Sequence, residues 1–203
     1  MFKKFLNYYK WQIIFFILIF ICGMFVLSKT TVTFPADLRI AYTSTHYLNS
    51  QTFNDNKSEI EMLLNEATND DKKVATIKTF SSDNIDEVKN KLRQYVKSDV
   101  YDIYIASKQA FDAIEDKSVF IDVSRYESQI IKRDTMLEDS SGRAYAVPLE
   151  GNTIIELLGG TDTKGLYIAA AAEKGEEDEI SAFRKNGINI CGYIIENKDK
   201  YNY

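Results

Sequence analysis

Residues 74–106 read VATIKTFSSDNIDEVKNKLRQYVKSDVYDIYIA and contain a complete strand–helix–strand unit. Residues 74–80 alternate β-branched with other side chains, which predicts a strand, and residues 100–106 predict a second one. Between them, apolar residues recur every three or four positions up to Lys97, as in an amphipathic helix. The recurring residues are Ile85, Val88, Leu92, Tyr95 and Val96. This order favours two parallel strands joined by a right-handed crossover.

The alternation of strands and helices extends on both sides of this unit. The other predicted extended segments are residues 37–42, 119–123, 142–149, 153–158 and 166–172. The last of these contains four consecutive alanines, which also suit a helix. The other predicted helices are residues 56–67, residues 109–116 and a closing helix of about 15 residues, which Gly187 and Gly192 weaken locally. We therefore predict an α/β domain at residues 37–198, with a mostly parallel sheet and flanking helices, and a tail at residues 199–203.

An uncharged apolar segment, residues 13–27, lies near the N-terminus. The 17 residues 11–27 reach the lower end of the range of about 17 to 25 that span a bilayer as a helix. Lys3, Lys4 and Lys10 precede the segment and Lys29 follows it, so the positive-inside rule places the domain outside the cell. We predict a cytoplasmic N-terminus at residues 1–10, one transmembrane helix at residues 11–28 and a linker at residues 29–36.

A cleaved signal peptide is the alternative for this segment, because Val26, Leu27 and Ser28 form a poor cleavage site. The apolar run continues up to that site without a polar region. Tyr8 and Trp11 at its start suit the headgroup layer of a bilayer, which favours an anchor. Cleavage stays open at the level of the sequence.

The exported part of the chain is acidic. All 30 acidic residues follow residue 29, against 21 of the 25 basic ones, which gives a formal charge of −9. A net negative domain repels phosphate backbones, so nucleic acid is excluded as a partner. Cys22 lies in the apolar segment and Cys191 near the other end, so no disulfide is expected. One histidine without an exported cysteine pair predicts no metal site and no cofactor.

Three stretches resemble one lobe of the extracellular solute-binding proteins of ABC importers. Residues 37–42 resemble the opening strand, residues 100–108 with Phe111 the strand that presents a binding loop, and residues 141–149 the "DGKxYGVP" stretch of that family. Together they cover about half of the chain. The family closes two lobes over a ligand, whereas this chain is long enough for one. The N-terminus also resembles small membrane-anchored proteins of low-GC Gram-positive bacteria.

Candidate ligand-binding residues follow two predicted strands. Thr43, Ser44, Ser107 and Lys108 are expected at the carboxyl ends of neighbouring strands, where open α/β sheets bind ligands, and His46 follows in the first of these loops. Solvated loop tips are the alternative for all five. No serine lies in a Gly-x-Ser-x-Gly motif, and any triad would have to use the single histidine, so no catalytic residue is assigned.

The sequence leaves three functions open. The first is a non-enzymatic, membrane-anchored binding module related to solute-binding proteins, whose partners are the lipid bilayer and a small polar solute. The second is a structural or assembly subunit that packs against another membrane protein, which the short linker favours. The third is a hydrolase that uses His46.

Overall fold

A computed structural model describes residues 35–68, 70–126, 132–159, 162–173 and 181–199. The predicted cytoplasmic segment and transmembrane helix lie outside these residues, as does most of the predicted linker. Among the residues that are described, no helix is long and apolar enough to cross a membrane. From Pro35 onward the chain forms one compact unit.

Six strands form one sheet in the order β2-β1-β3-β6-β5-β4. The strands are β1 (Leu38–Ser44), β2 (Ala75–Ser81), β3 (Ile103–Ser107), β4 (Leu137–Glu138), β5 (Ala144–Pro148) and β6 (Leu166–Ala170). The helices are α1 (Ser50–Asn56), α2 (Ser58–Leu63), α3 (Ile85–Ser98), α4 (Lys108–Asp112), α5 (Thr153–Gly159) and α6 (Ala182–Glu196). Short 3₁₀ turns lie at Lys117–Val119, Ser124–Tyr126 and Arg133–Thr135.

The predicted α/β class is confirmed, but the sheet is mixed and not mostly parallel. Strands β2, β1 and β3 run parallel, as residues 74–106 predicted. Strand β6 is antiparallel to both of its neighbours, β3 and β5, and β4 is antiparallel to β5. The prediction failed because an apolar strand buried on both faces has the same residue pattern in either direction.

Local capping explains two further corrections. Residues 153–158, predicted as extended, form α5, because the Asn152 side chain accepts the Ile155 N–H at 3.1 Å and starts a helix there. The predicted helix 56–67 is two short helices, α1 and α2, that meet at Lys57. Helix α1 begins earlier than predicted, because the Asn49 side chain caps the Gln51 N–H at 2.9 Å.

One other predicted segment differs from the structure, and two agree with it. Residues 119–123 contribute only an isolated antiparallel bridge between Phe120 and Ala171, beside a 3₁₀ turn. Residues 166–172 are extended as β6 and not helical, since their alternate side chains pack on opposite faces of the sheet. The closing helix is confirmed at 15 residues.

Helices cover both faces of the sheet. On one face, α1, α2, α5 and α6 bury apolar side chains such as Phe53, Ile60, Ile155 and Ile194. On the other face, α3 and α4 bury Val88, Leu92 and Phe111, among other residues. Within the described residues both faces are therefore covered, which leaves the edges and ends of the sheet for binding.

Helix α6 approaches the sheet through its two glycines. A Cβ on Gly187 would lie 2.8 Å from the Asp102 Cβ and 2.9 Å from the Asp102 carbonyl oxygen, and one on Gly192 would lie 2.6 Å from the Tyr126 hydroxyl. These glycines, which weaken the helix by propensity, are therefore the contact positions that let it pack closely. Cys191 lies between them, fully buried, and burial raises the pKa of its thiol to about 12.

Candidate functional site

Three strand ends meet at one edge of the sheet. Strand β3 ends at Ser107 and β5 at Pro148, and the antiparallel β6 begins at the same edge. The register places Ser107 opposite Leu166, and Pro148 opposite Tyr167. Open α/β sheets bind ligands outside the carboxyl ends of their strands, so this edge is the first place to search for a site.

A cavity of about 410 Å³ lies at this edge, and we call it the carboxyl-edge cleft. Its polar and charged lining comes from Lys108, Asp134, Thr135, Glu150, Tyr167 and Lys198. Its apolar lining includes Met136, Leu137 and Pro148. The volume falls in the range of about 300 to 1,000 Å³ that is usual for small-molecule sites.

The last turn of the described chain is fixed against the cleft by hydrogen bonds. The backbone N–H and the hydroxyl of Thr153 donate to the Lys198 carbonyl at 2.9 and 2.8 Å. The Lys198 ammonium in turn donates to the Glu150 carbonyl at 2.9 Å. The end of α6, the start of α5 and the end of β5 are thus held together at one wall of the cleft.

The 3₁₀ turn that carries Asp134 forms another part of the cleft lining. Arg133 anchors this turn, because its guanidinium donates to the Glu138 carboxylate and to the Gly142 carbonyl, both at 2.5 Å. Strand β4 then pairs with β5, Leu137 opposite Ala146. The two hydrogen bonds of Arg133 therefore hold in place the turn that carries Asp134.

Several polar groups of the cleft lack an internal partner. Within the described ranges, the carboxylates of Asp134 and Glu150 pair with no cation, and the Tyr167 hydroxyl makes no hydrogen bond. Lys198 donates to a carbonyl but pairs with no carboxylate of the described chain. Lys108 differs, because its ammonium pairs with Asp112 at 2.9 Å. The cleft thus presents both signs of charge that are free to meet a ligand.

Of the five residues predicted from the sequence, one lines this cleft. Lys108 does, and Ser107 lies next to it at the end of β3. Thr43 and Ser44 lie at the end of β1 and are buried, at 0% and 1% exposure, so a ligand cannot reach them. His46 is exposed in the loop that follows β1.

The end of β1 is organised around one carbonyl. The His46 carbonyl accepts the Tyr42 hydroxyl at 2.8 Å and the Ser81 hydroxyl at 2.9 Å. The Ser44 hydroxyl accepts the His46 N–H at 3.0 Å. The Ser44 hydroxyl is therefore part of the hydrogen bonds that hold this loop. Its role in ligand binding stays a prediction.

Two hydroxyls at the same edge are buried and unpaired. Thr43 Oγ1 and Ser107 Oγ have no hydrogen-bond partner in the described chain. Side-chain alternation places them on opposite faces of the sheet, since Thr43 follows the direction of Ala41, and Ser107 that of Ile105. They therefore do not converge on one ligand atom.

Within the described residues, the groups for hydrolysis or metal binding are not assembled. The imidazole of His46 has no hydrogen bond or ion pair with any described residue. No group of three or more His, Cys, Asp or Glu side chains in those ranges is arranged to hold a metal ion.

A second concavity of about 430 Å³ lies between α6 and the 3₁₀ turn at Ser124–Tyr126. Its main cation, Arg125, lies over the Tyr126 ring at 4.8 Å and donates to the hydroxyl of that same tyrosine at 2.6 Å. The carboxyl-edge cleft is the better candidate site, because it lies at the carboxyl ends of strands, where open α/β sheets bind ligands.

Sequence reasoning missed four of the polar residues of the cleft: Asp134, Glu150, Tyr167 and Lys198. The predicted extended segment 142–149 ends one residue before Glu150, so Glu150 could have been placed near a strand end. The other three reach the cleft only because β6 inserts between β3 and β5, and no local pattern reports that insertion.

Comparisons with known proteins add no further constraint. No protein-family model matches the chain, no curated protein matches it, and no solved structure matches it.

Proposed function

We propose that this chain is a non-enzymatic, membrane-tethered binding module that takes a small polar solute in the carboxyl-edge cleft. The observation that carries the proposal is the position of a cavity of about 410 Å³ at the carboxyl ends of β3 and β5. The proposed relation to one lobe of a solute-binding protein rests on the three sequence stretches and on this location of the cleft.

The lining of the cleft supports binding in preference to catalysis. Its carboxylates belong to Asp134, on the 3₁₀ turn, and to Glu150, just after β5. The single histidine of the chain, His46, does not line the cleft. A cleft that combines polar groups with apolar surface suits recognition of a small molecule.

Solute binding is expected to depend on Tyr167, which contributes both an aromatic face and a free hydroxyl to the cleft. Isothermal titration of the domain with sugars, amino acids and short peptides should find a ligand whose affinity falls about tenfold in Tyr167→Ala. Tyr47→Ala is the matched control, because Tyr47 is 73% exposed and does not line the cleft. The control should bind like the unmodified protein.

Two results would contradict this function. Failure of every solute to bind, together with co-purification of a membrane protein, would favour the assembly role. Turnover of a hydrolysable substrate that disappears in His46→Ala would favour the hydrolase.

The tether is proposed from the apolar segment 11–28 and the lysines that precede it. A tag placed after Tyr203 should be removed when intact spheroplasts are treated with protease, because the positive-inside rule puts the domain outside. A tag behind a known cytoplasmic domain should survive the same treatment. Protection of the Tyr203 tag would overturn the orientation.

A further inference from the structure

We propose that the free side of strand β2 binds an extended, acidic segment of a partner protein, which adds a further strand to the sheet. Strand β2 is the first in the order β2-β1-β3-β6-β5-β4, so β1 is its one neighbouring strand among the described residues. The carboxyl-edge cleft lies at the ends of β3 and β5, on the other side of β1. This surface is therefore separate from the proposed solute site.

The backbone of β2 presents hydrogen-bonding groups to the outside. The Leu38 N–H donates to the Val74 carbonyl at 3.2 Å, so Val74 and every second residue after it face β1. The register between the two strands continues without a shift to the end of β2. Ile77, Thr79 and Ser81 therefore direct their backbone N–H and carbonyl groups away from β1. No described residue bonds to these backbone groups, which we call the open edge of β2.

Side chains close one end of the open edge. Ala75 also faces outward, but its N–H donates to the Glu61 carboxylate and its carbonyl accepts the Lys57 ammonium, both at 3.0 Å. Glu61 and Lys57 pair with each other at 2.7 Å. An added strand would thus begin its pairing at Ile77. At the far side of the sheet, β4 has two residues, and such short edge strands resist pairing.

The charges beside the open edge are positive, although the exported part of the chain is acidic. Residues 72–82 contain three lysines and no acidic residue. Lys73 and Lys78 are exposed, and neither pairs with a carboxylate of the described chain. Electrostatic complementarity therefore favours a partner segment that carries carboxylates.

The two faces of the open edge differ, which defines the pattern of the partner segment. Lys78 and Phe80 project from the same face, and the Lys91 ammonium of α3 lies 5.7 Å from the centre of the Phe80 ring. A carboxylate that sits beside Phe80 would therefore meet positive charge from the strand and from the helix. On the other face, Ile77 is partly buried against the apolar core. Acidic and apolar side chains should alternate in the partner, as strand addition requires.

A second copy of this chain is a less suitable occupant. Pairing two β2 strands would bring Lys73 and Lys78 of both copies to one interface. Like charges across paired strands are destabilising, and exposed lysines on edge strands are a common protection against pairing of identical edges. The same lysines attract an acidic strand.

The test measures fluorescence anisotropy of a labelled peptide of alternating glutamate and valine, with the full chain in detergent solution. Two related peptides serve as comparisons: one has every amide N-methylated, and the other has lysine in place of glutamate. Each should bind at least about tenfold more weakly, because the first lacks N–H donors and the second has the wrong charge. Failure of the glutamate peptide to bind, or equal binding of its N-methylated form, would overturn the inference.

Substitutions place the peptide on β2. Lys78→Glu should weaken the glutamate peptide about tenfold and strengthen the lysine peptide. Lys97→Glu makes the same change of charge at an exposed position of α3 and should bind like the unmodified chain. Thr79→Pro removes an N–H that β1 does not use, so the sheet should keep its pairing while peptide binding falls about tenfold. Unchanged binding in both Lys78→Glu and Thr79→Pro would contradict strand addition at β2.

Sedimentation of the full chain distinguishes the second copy from the acidic partner. A single protomer per detergent particle is expected, with or without the glutamate peptide. A dimer that dissociates in Thr79→Pro would mean that the open edge pairs with itself, and the acidic-peptide inference would then be wrong.

Discussion

Replacing Asp102 by alanine is expected to lower the free energy of unfolding of the domain by about 3–5 kcal/mol, because it removes one partner of a buried ion network. Asp102 is completely buried, at 0% exposure. One of its oxygens accepts the Arg39 backbone N–H at 2.8 Å and the Arg39 Nε at 3.2 Å. The other oxygen accepts from the second guanidinium nitrogen of Arg39 at 3.2 Å and from Arg184 at 3.3 Å.

The loss is large because of what remains after the substitution. Arg184 is almost completely buried, and without Asp102 its guanidinium keeps an ion pair with Asp99, whose side chain is half exposed. The Arg39 backbone N–H loses its acceptor as well. Asp102→Asn, which preserves the shape, should also destabilise strongly, since a neutral amide presents N–H donors to the guanidinium donors.

Urea unfolding of residues 35–203 measures this effect. Asp86→Asn is the matched control, because Asp86 is exposed and its pair with Lys89, at 3.1 Å, is of the surface type. The control should change the free energy of unfolding by less than about 0.5 kcal/mol. A similarly small change in both Asp102 variants would show that the network contributes little to the fold.

The Asp102 network also illustrates what a sequence can predict about this fold. The strand that contains Ile103 and Ile105, and helix α3 before it, follow from periodic apolar residues within 33 consecutive positions. Arg184 reaches Asp102 from 82 positions away, through a helix whose approach depends on Gly187. Such a contact has no local sequence pattern. A glycine in a helix is more often interpreted as a residue that destabilises the helix than as a position of close packing.

The candidate site divides in the same way. Lys108 could be predicted, because it follows directly after a strand that the sequence identifies. Glu150, Tyr167 and Lys198 could not be predicted together, since the direction and position of β6 decide their meeting. The sequence of a strand that is buried on both faces does not indicate its direction. The prediction of a mostly parallel sheet was wrong for that reason.

Asp37→Ala is expected to lower the free energy of unfolding by about 3 kcal/mol, since it removes the acceptor of two partly buried backbone N–H groups. The Asp37 carboxylate is fully buried and accepts the Ala67 N–H at 2.7 Å and the Val74 N–H at 2.8 Å, one on each oxygen. It therefore ties the start of β1 to the segment that leads from α2 into β2. Alanine at this position removes the acceptor of both N–H groups.

Asp37→Asn separates the acceptor role from the side-chain volume. The amide keeps one carbonyl oxygen and places an N–H₂ group against the other backbone donor, so about half of the loss should return. Asp55→Ala is the control, because Asp55 is exposed and, among the described residues, its side chain accepts only from Gln51, at 2.9 Å. Hydrogen exchange gives a second reading of the same contact. The Val74 amide should lose protection in Asp37→Ala and keep it in Asp55→Ala, and equal protection in both variants would mean that water, not Asp37, satisfies that N–H.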